Sequence, residues 1–438
     1  MTIVPLGSRN RFRAVMWMPA AMALACNGGG DGRSSGSAGG IVSAGATDTA
    51  DGVDDDDGGE AGTDGNSGQD SANDDDGAKF DVLVPPDGSL GCGGGGEGGG
   101  GGGAPDFSYI WIANSNESTV SKINTQTLVE EGRYITRPDS NGNPSRTSVN
   151  LNGDMAIANR SGGVTMIAAT SDRCPDPNNT STGAADVKAW QDGCVLWHVP
   201  FAYASQRPVA WTPGEWNDSA CRYDDTKVWT SGANGSIDVI LIDGDTGVVE
   251  QTIPIPGVDP AFYGIYGGAS DAEGNFWGSQ LGQGYLVNVD IDDGSVRTWP
   301  MPTSGYGMTV DHLGQVWTCS SEVARFDVAT QTWQTAAAGG AGGCMEDGQG
   351  VLWLANDPMV GVDINTMAVV QMIDLPNYVH GISIDFEGHV WGPAIYNNEA
   401  YRVDPVAGTI DTVTGLNYPY TYSDMTGFAL SNAGTPSG

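Results

Sequence analysis

Hydrophobic and polar residues alternate in short runs from Asp106 to about residue 430, and turns rich in Gly, Asn and Asp separate the runs. Trp, Tyr, Val, Ile and Thr dominate these runs, while stretches with the period of a helix are few. β-Branched and aromatic residues in such alternation favour strands that bury one face. The pattern therefore predicts an all-β domain.

An internal repeat makes this prediction more specific. A turn with an acidic residue and a glycine precedes a tryptophan in four copies: Asp271–Trp277, Asp311–Trp317, Asp347–Trp353 and Asp385–Trp391. A second turn follows each tryptophan after 10 to 14 residues, and its aspartates are Asp243, Asp290, Asp327, Asp363 and Asp404. Each repeat thus predicts four antiparallel strands, which make one blade of a β-propeller.

Counting the tryptophan positions gives seven blades, at Trp111, Ala156 (a degenerate copy), Trp229, Trp277, Trp317, Trp353 and Trp391. The first copy lacks its innermost strand, whereas the segment from Tyr422 to Leu430 predicts a strand without a continuation. We expect this tail to complete blade 1 in a 1+3 closure, because closure removes a free sheet edge. The predicted propeller spans residues 106–432, and a disordered tail follows at 433–438.

The N-terminus carries the features of an exported protein. Arginines precede an uncharged apolar run, Ala14 to Ala25, that ends at Cys26 and is too short for a permanent membrane helix. This arrangement predicts a signal peptide over residues 1–26. The segment Ala23 to Cys26 resembles a bacterial lipobox, in which the cysteine is acylated and becomes the mature N-terminus. The alternative is an ordinary cleaved signal with an incidental cysteine.

The lipobox would place the protein in the cell envelope, lipid-anchored at the outer membrane, in the periplasm or at the cell surface, and Asn27 favours outer-membrane sorting. Residues 27–105 consist mainly of Gly, Ser, Asp and Ala and predict a disordered linker. The formal net charge of −36 excludes nucleic acid as a partner and leaves the N-terminal lipid as the membrane contact. We expect a monomer.

The cysteines fit an oxidising compartment. Two disulfides are predicted: Cys174–Cys194 brackets an insertion in blade 2, and Cys319–Cys344 joins what we expect to be inner strands of neighbouring blades. Cys221 is left over, with Cys92 in the linker as a candidate partner. The four histidines are scattered and predict no metal site.

The repeats resemble the virginiamycin B lyase (streptogramin lyase) propellers, and beyond them the YVTN and NHL-type repeat propellers. The segments that carry the resemblance run from Tyr306 to Trp317, from His380 to Trp391 and from Ala400 to Asp404. It extends over residues 107–430 and is strongest from about residue 264. The resemblance implies a fold more specifically than a function, since propellers carry many activities.

In these lyases a histidine of a His-Gly-Ile element is catalytic. A glutamate two residues earlier and another after the next tryptophan help to hold magnesium, and a second histidine comes from the preceding blade. His380 matches the first histidine, but Tyr378 and Ile395 occupy the glutamate positions and residues 342–344 are two glycines and a cysteine. Magnesium needs oxygen ligands that these positions lack, with Glu399 in a loop as the candidate substitute. We therefore expect the lyase chemistry to be absent.

The inner strands of a propeller begin around a central opening, so the residues just before them should form a ring at its mouth. The repeat register predicts a ligand-binding ring of Arg146, Arg207, Tyr266 (or Tyr263 if blade 4 slips), Tyr306, His380 and Asp424. We expect a binding module for a small molecule, peptide, glycan or envelope protein. The alternative is a metal-dependent lyase or hydrolase, with His380 catalytic and Mg²⁺ as cofactor.

Overall fold

The computed structural model describes residues 108–435, in which short antiparallel strands follow one another through tight turns. Six four-stranded sheets and one three-stranded sheet form a seven-bladed β-propeller, as the repeat predicts. The signal peptide with Cys26, the linker at 27–105 and residues 436–438 lie outside the described residues. None of the helices between residues 108 and 435 has the length and apolarity needed to cross a membrane.

The first three blades carry the insertions. Blade 1 contains β1 (Tyr109–Asn114), β2 (Thr119–Asn124) and β3 (Glu130–Ile135). Blade 2 contains β4 (Pro144–Val149), β5 (Met155–Asn159), β6 (Val164–Ile167) and β7 (Val195–Val199), with a 3₁₀ turn at Ala184–Asp186. Blade 3 contains β8 (Ser205–Trp211), a hairpin of β9 (Glu215–Asn217) and β10 (Arg222–Asp224), then β11 (Lys227–Ala233), β12 (Ile237–Asp243) and β13 (Val249–Pro254).

The other four blades are regular. Blade 4 contains β14 (Ile265–Ser270), β15 (Phe276–Gln280), β16 (Tyr285–Val289) and β17 (Val296–Pro300). Blade 5 contains β18 (Gly307–Val310), β19 (Val316–Cys319), β20 (Glu322–Asp327) and β21 (Thr332–Ala337). Blade 6 contains β22 (Cys344–Glu346), β23 (Val351–Leu354), β24 (Met359–Asp363) and β25 (Val369–Ile373). Blade 7 contains β26 (Ser383–Ile384), β27 (Val390–Ala394), β28 (Glu399–Asp404) and β29 (Thr409–Thr414), and α1 (Phe428–Asn432) follows.

The repeated aspartate and tryptophan are linked by a hydrogen bond. In blades 4 to 7 the indole N–H donates to the aspartate six residues earlier, at 2.8 to 2.9 Å. In blade 5 the other carboxylate oxygen of Asp311 accepts the backbone N–H groups of Leu313 and Gln315, at 3.0 and 2.8 Å. The aspartate thus closes the turn and fixes the tryptophan that follows it.

The core consists of clusters that join each blade to the next. Trp317, for example, packs with Leu352 and Val360 of blade 6, and Trp229 packs with Phe276 of blade 4. Blade 2 has Ala156 at this position, and Trp211 of the neighbouring inner strand fills the space beside it. The Trp211 indole N–H donates to the Ser148 carbonyl at 3.0 Å. The degenerate repeat is therefore compensated from the adjacent blade.

The C-terminal tail occupies the inner position of blade 1, as the sequence predicts. Trp111 N–H donates to the Met425 carbonyl at 2.8 Å, and Asn114 forms an antiparallel bridge with Pro419. On the other side Ser423 bonds to the backbone of Thr147 at 3.0 and 2.6 Å. The tail therefore lies between β1 and the inner strand of blade 2 and closes the ring of blades.

The end of the tail differs from the prediction. Residues 428–432 form α1 instead of continuing a strand to Leu430, because Gly427 adopts a left-handed conformation (φ 90°) and turns the chain. Residues 433–434 are also ordered against the propeller, although we expected a disordered tail there. Gly434 N–H donates to the Asp311 carbonyl at 2.9 Å, and Asn432 donates to Glu346 at 2.6 Å. The last described residues thus pack across the ends of several inner strands.

Both predicted disulfides are present, Cys174–Cys194 and Cys319–Cys344. The second bridge joins blades 5 and 6, but Cys319 lies at the end of β19, the second strand of its blade, and not on an inner strand. Cys221 is also disulfide-bonded, and Cys92 lies outside the described residues. The disulfides indicate an extracytoplasmic protein.

Candidate functional site at the mouth of the propeller

The topology gives the propeller two chemically distinct ends. The inner strands all begin at one end, which we call the mouth, and run to the Asp/Gly turns at the other, which we call the turn end. Residues just before the inner strands, such as Tyr306 before β18, therefore meet around the central axis at the mouth. The loops between second and third strands, such as the one after Ala394, surround them.

Four tyrosines and one histidine share a hydrogen-bond network at the mouth. The hydroxyls of Tyr266, Tyr306 and Tyr420 form a triangle with sides of 2.7, 2.8 and 3.2 Å. Tyr306 also reaches His380 Nε2 at 2.7 Å, and Tyr378 reaches His380 Nδ1 at 2.8 Å. Blades 4, 5 and 7 and the tail are thereby joined through side chains alone.

A proton count assigns the tautomer of His380. If the three hydroxyls of the triangle donate in a circle, Tyr306 has no proton left for the histidine. His380 Nε2–H then donates to Tyr306, and Tyr378 donates to Nδ1. This assignment uses every proton once and requires a neutral imidazole.

The pKa values agree with a neutral network. Burial, followed by the repulsion of the Arg146 cation, lowers the pKa of His380 to about 4. Burial raises the pKa of Tyr306 well above its usual range and that of Tyr266 above 10. Burial acts in the same direction on Tyr420, but Arg146 and the hydrogen bonds with the other two hydroxyls outweigh it, so its pKa is lowered.

The backbone of His380 is fixed by its neighbours on both sides. Its N–H donates to the Pro393 carbonyl, and its carbonyl accepts the Gly343 N–H, both at 2.9 Å. A Cβ atom on Gly342 would lie 2.2 Å from the His380 oxygen, so this approach of blades 6 and 7 requires glycine. The glycines where the lyases place a second histidine therefore have a packing role in this chain.

Three arginines place their guanidinium groups over the tyrosine rings. Arg146 is buried, 2.8 Å from the ring centroid of Tyr422 and 4.9 Å from that of Tyr266. Arg207 lies 4.5 Å from Tyr263 and 4.9 Å from Tyr266, and Arg160 lies 4.7 Å from Tyr420. Cation–π contacts of this kind stabilise guanidinium groups by their faces.

Aromatic side chains extend from this network to the solvent on two sides. Phe262 is 72 % exposed and packs on Tyr263, and Tyr396 is 73 % exposed and stacks on Tyr378. The rings at the centre fill the mouth and form a floor, while Phe262 and Tyr396 form an exposed rim. The rim and floor together offer ring faces, hydroxyls and cations to a ligand.

The structure brings together five of the six residues in the predicted ring. Arg146, Arg207, Tyr266, Tyr306 and His380 are connected through ring contacts or hydrogen bonds. Tyr263 joins the same cluster, so the alternative register is not needed to include it.

Asp424 is the exception, because it lies farther toward the turn end. Its carboxylate accepts backbone N–H groups of Thr426 and Gly427, at 3.2 and 2.9 Å, just before α1. It lines a small cavity with Ser148, Trp211, Ser270, Thr309 and Met345. Burial raises the pKa of Asp424 to about 6.

Sequence reasoning missed four members of the cluster: Arg160, Tyr378, Tyr420 and Tyr422. Tyr420 and Tyr422 precede Asp424 at alternate positions of the tail, so they share its face but lie nearer the mouth. The spacing of two was visible in the sequence, but the point at which the tail enters the channel was not. Tyr378 was considered only as the residue that replaces a glutamate.

The donors around His380 do not fit magnesium. Both ring nitrogens bond to tyrosine hydroxyls, Ile395 is buried, and the Glu399 carboxylate accepts the Tyr401 hydroxyl at 2.7 Å. Within residues 108–435 the group of metal-capable side chains that converges is Asp385, Glu387 and His389, and it lies in an Asp/Gly turn. There Asp385 accepts the Trp391 indole N–H, as in the other blades, so this cluster has a structural role.

No family model and no curated protein matches the sequence. Among solved structures, a streptogramin B lyase superposes with a TM-score of 0.50 and 13% identity, over 66% of this chain and 87% of the lyase.

Two further solved structures align less closely. A catalytically inactive virginiamycin B lyase from Staphylococcus aureus, solved with quinupristin, aligns with a TM-score of 0.47 and 13% identity, over 72% of this chain and 89% of the lyase. Apo AztD from Citrobacter koseri aligns with a TM-score of 0.48 and 10% identity, over 72% of this chain and 97% of AztD. At this identity the likeness concerns the fold alone, and the fold of this chain is that of the virginiamycin B lyase-like β-propellers, as its repeats predict.

Proposed function

We propose that the protein is a binding module that recognises its ligand at the mouth of the propeller. The observation that carries this proposal is the unused hydrogen-bonding capacity there: Arg207 Nε and the Tyr422 hydroxyl are buried without a partner. Buried polar atoms are normally satisfied, so each exception calls for an explanation, and a group supplied by a ligand is one. The exposed rings of Phe262 and Tyr396 add the amphipathic surface that binding sites favour.

The binding proposal is tested with two variants that each truncate an exposed side chain. Wild type, Tyr396→Ala and Met372→Ala are screened by thermal shift and calorimetry against amino acids, short peptides, monosaccharides and oligosaccharides. Met372 is also exposed, but it lies on β25, the outermost strand of blade 6. We expect a ligand whose affinity falls about tenfold in Tyr396→Ala and is unchanged in Met372→Ala. Equal affinity in all three proteins would place binding elsewhere.

The proposal includes a lipid anchor at Cys26, so that the linker lets the propeller act at a distance from the membrane. Labelling with a fatty-acid analogue should mark the wild type and not Cys26→Ala, which should be released as soluble protein. Equal membrane retention of both forms would contradict the anchor.

The second candidate function is a lyase, and His380 in its His-Gly-Ile element is the observation that favours it. The elimination needs a metal to stabilise charge on the substrate carbonyl and a placed acid or base. Because the residues around His380 do not fit magnesium, we expect no product from a cyclic depsipeptide in the presence of magnesium. Turnover that both EDTA and His380→Ala abolish would restore the lyase.

A further inference from the structure

We infer that the ligand carries an oxyanionic group, a carboxylate, sulfate or phosphate, and that Arg207 binds it at the mouth. This inference rests on the proposed binding function and adds the chemical class of the ligand.

The arginines at the mouth lack the carboxylate partners that most other arginines of the described residues have. In the described part of the chain, four arginines have no ion pair: Arg146, Arg160, Arg207 and Arg325. Three of them lie at the mouth, although the protein as a whole carries a net charge of −36. In so acidic a chain, three guanidinium groups without a carboxylate form a local site of opposite charge.

The three guanidinium groups at the mouth differ in the hydrogen bonds that they donate. Arg146 donates to the Tyr266 carbonyl at 3.0 Å, and Arg160 donates to the carbonyl and side chain of Asn143. Arg207 makes no hydrogen bond to any residue in the described range, and its Nε is buried. The ring centroids of Tyr263 and Tyr266 lie 4.5 and 4.9 Å from its guanidinium carbon, and neither tyrosine accepts a hydrogen bond from its N–H groups.

A guanidinium that has aromatic contacts but no hydrogen-bond acceptor fits an oxyanion. Its planar N–H groups match two oxygens of a carboxylate, sulfate or phosphate, and such bonds are about twice as strong as neutral ones. Neutral ligands would accept from the same edge but would not offset the charge. Arg146 and Arg160 add positive potential around that position, and each already donates to a backbone carbonyl.

The arginines repel one another in the unliganded protein. Burial, and then the Arg207 cation, lowers the pKa of Arg160, and burial lowers that of Arg146 to about 10. None of the three arginines has an ion pair among the described residues that would relieve this repulsion. An anionic ligand would compensate the cluster, which gives it an affinity that a neutral analogue lacks.

The test compares ligands that share one ring and differ only in the anionic group. Glucose, glucuronate, glucose 6-sulfate and glucose 6-phosphate are titrated at matched ionic strength against wild type, Arg207→Gln and Arg297→Gln. Arg297 is the matched control, since it is an exposed arginine on the outer strand β17 and its nearest acid is 3.9 Å away. The three derivatives distinguish carboxylate, sulfate and phosphate as the source of the charge.

We expect at least one anionic sugar to bind wild type and Arg297→Gln about tenfold more tightly than glucose, and Arg207→Gln to lose this preference. Arg207→Gln should melt at the same temperature or about 1–2 °C higher, because it removes a repelling cation and leaves no hydrogen-bond partner unpaired. A preference that persists in Arg207→Gln overturns the inference, as does binding no tighter than that of glucose. Binding of a neutral ligand that depends on Tyr396, without an anion preference, would overturn the inference and leave the proposed function standing.

Discussion

The repeated aspartates at the turn end and two polar side chains at the mouth differ in their hydrogen bonding. At the turn end the repeated aspartates, such as Asp311 and Asp385, accept bonds from backbone N–H groups and from a tryptophan of their own blade. At the mouth Arg207 and the Tyr422 hydroxyl have buried donors without partners. The repeated aspartates therefore stabilise the turns of their own blades, whereas Arg207 and Tyr422 retain bonding capacity that the fold does not use.

The difference follows from what each end must do in every blade. An Asp/Gly turn solves the same problem each time, so one residue pattern serves blades 4 to 7. The residues at the mouth project from seven different blades onto one axis and form a single surface. Their identities therefore vary from blade to blade, as Arg146, Tyr306 and His380 do.

The largest effect should come from the tail, which connects the two ends. Deleting residues 419–438 removes the strand beside β1 and exposes the Trp111 backbone N–H that donates to Met425. We expect loss of the cooperative thermal transition, measured by circular dichroism, because blade 1 gains an open edge and loses its inner packing.

A shorter deletion separates closure from the packing of α1. Removing residues 427–438 leaves the segment from Pro419 to Thr426 in place and takes away only the turn-end contacts of α1. This variant should keep a cooperative transition at a lower temperature. A cooperative melt of the longer deletion at the wild-type temperature would show that the tail is not the closing strand.

The second largest effect should come from Asp311→Ala at the turn end. The change leaves the Trp317 indole and the backbone N–H groups of Leu313 and Gln315 without an acceptor in a buried position. We expect a loss of about 2–4 kcal/mol in the free energy of unfolding, measured with denaturant. Asp290→Ala is the control, since its carboxylate serves an exposed turn, and it should cost less than about 1 kcal/mol.

The sequence predicts the turn end well because its chemistry repeats. The spacing of Asp385 and Trp391 recurs in four blades, and a local turn with its own acceptor does not depend on distant contacts. The blade count and the closure follow from that register. The helix α1 was not predicted, because the tail has no second copy with which to compare it.

The mouth was predicted only in part, because its geometry depends on closure. Arg146, Tyr306 and His380 lie at the mouth ends of inner strands of known register, so their convergence follows from the repeat. Asp424 was placed in the ring because the tail strand was expected to start at Tyr422, but the tail already bridges to blade 1 at Pro419. A shift of a few residues along the axis moves a side chain from the mouth to the cavity near the turn end.

The third prediction compares how His380 at the mouth and Asp424 near the turn end make stability depend on pH. The pKa of His380 is about 4 in the folded protein, below its usual 6.5, so its contribution to stability is lost as pH falls from about 6.5 to 4. The pKa of Asp424 is about 6, above its usual 3.8, so its contribution is present at low pH and lost as pH rises through 6. The two contributions have opposite slopes.

Two neutral variants separate them. Relative to wild type, the free energy of unfolding of Asp424→Asn should increase by on the order of 2 kcal/mol as the pH rises from 4 to 7. That of His380→Gln, again relative to wild type, should increase by a similar amount as the pH falls from 7 to 4. Denaturant unfolding at several pH values measures both differences. Parallel pH profiles of the two variants would contradict the assigned shifts.

The smallest effect should come from Tyr378→Phe at the mouth, which removes one hydroxyl and keeps the ring. In the assigned network this hydroxyl donates to His380 Nδ1, so the variant leaves a single acceptor without its donor. We expect a loss of about 0.5–1 kcal/mol in the free energy of unfolding at pH 7, well below the loss in Asp311→Ala.

The sharper readout is the imidazole itself. A hydrogen bond donated to Nδ1 stabilises the neutral ring, so its removal should raise the pKa of His380 from about 4 toward 6.5. Nitrogen-15 NMR of the wild type should show the Nε2–H tautomer, with Tyr306 as the acceptor. Finding Nδ1–H instead would reverse both hydrogen bonds of His380, because Tyr378 would then accept from Nδ1–H and Tyr306 would have to donate to Nε2. The three contacts of the hydroxyl triangle would then share two protons, so one of them could not be a hydrogen bond.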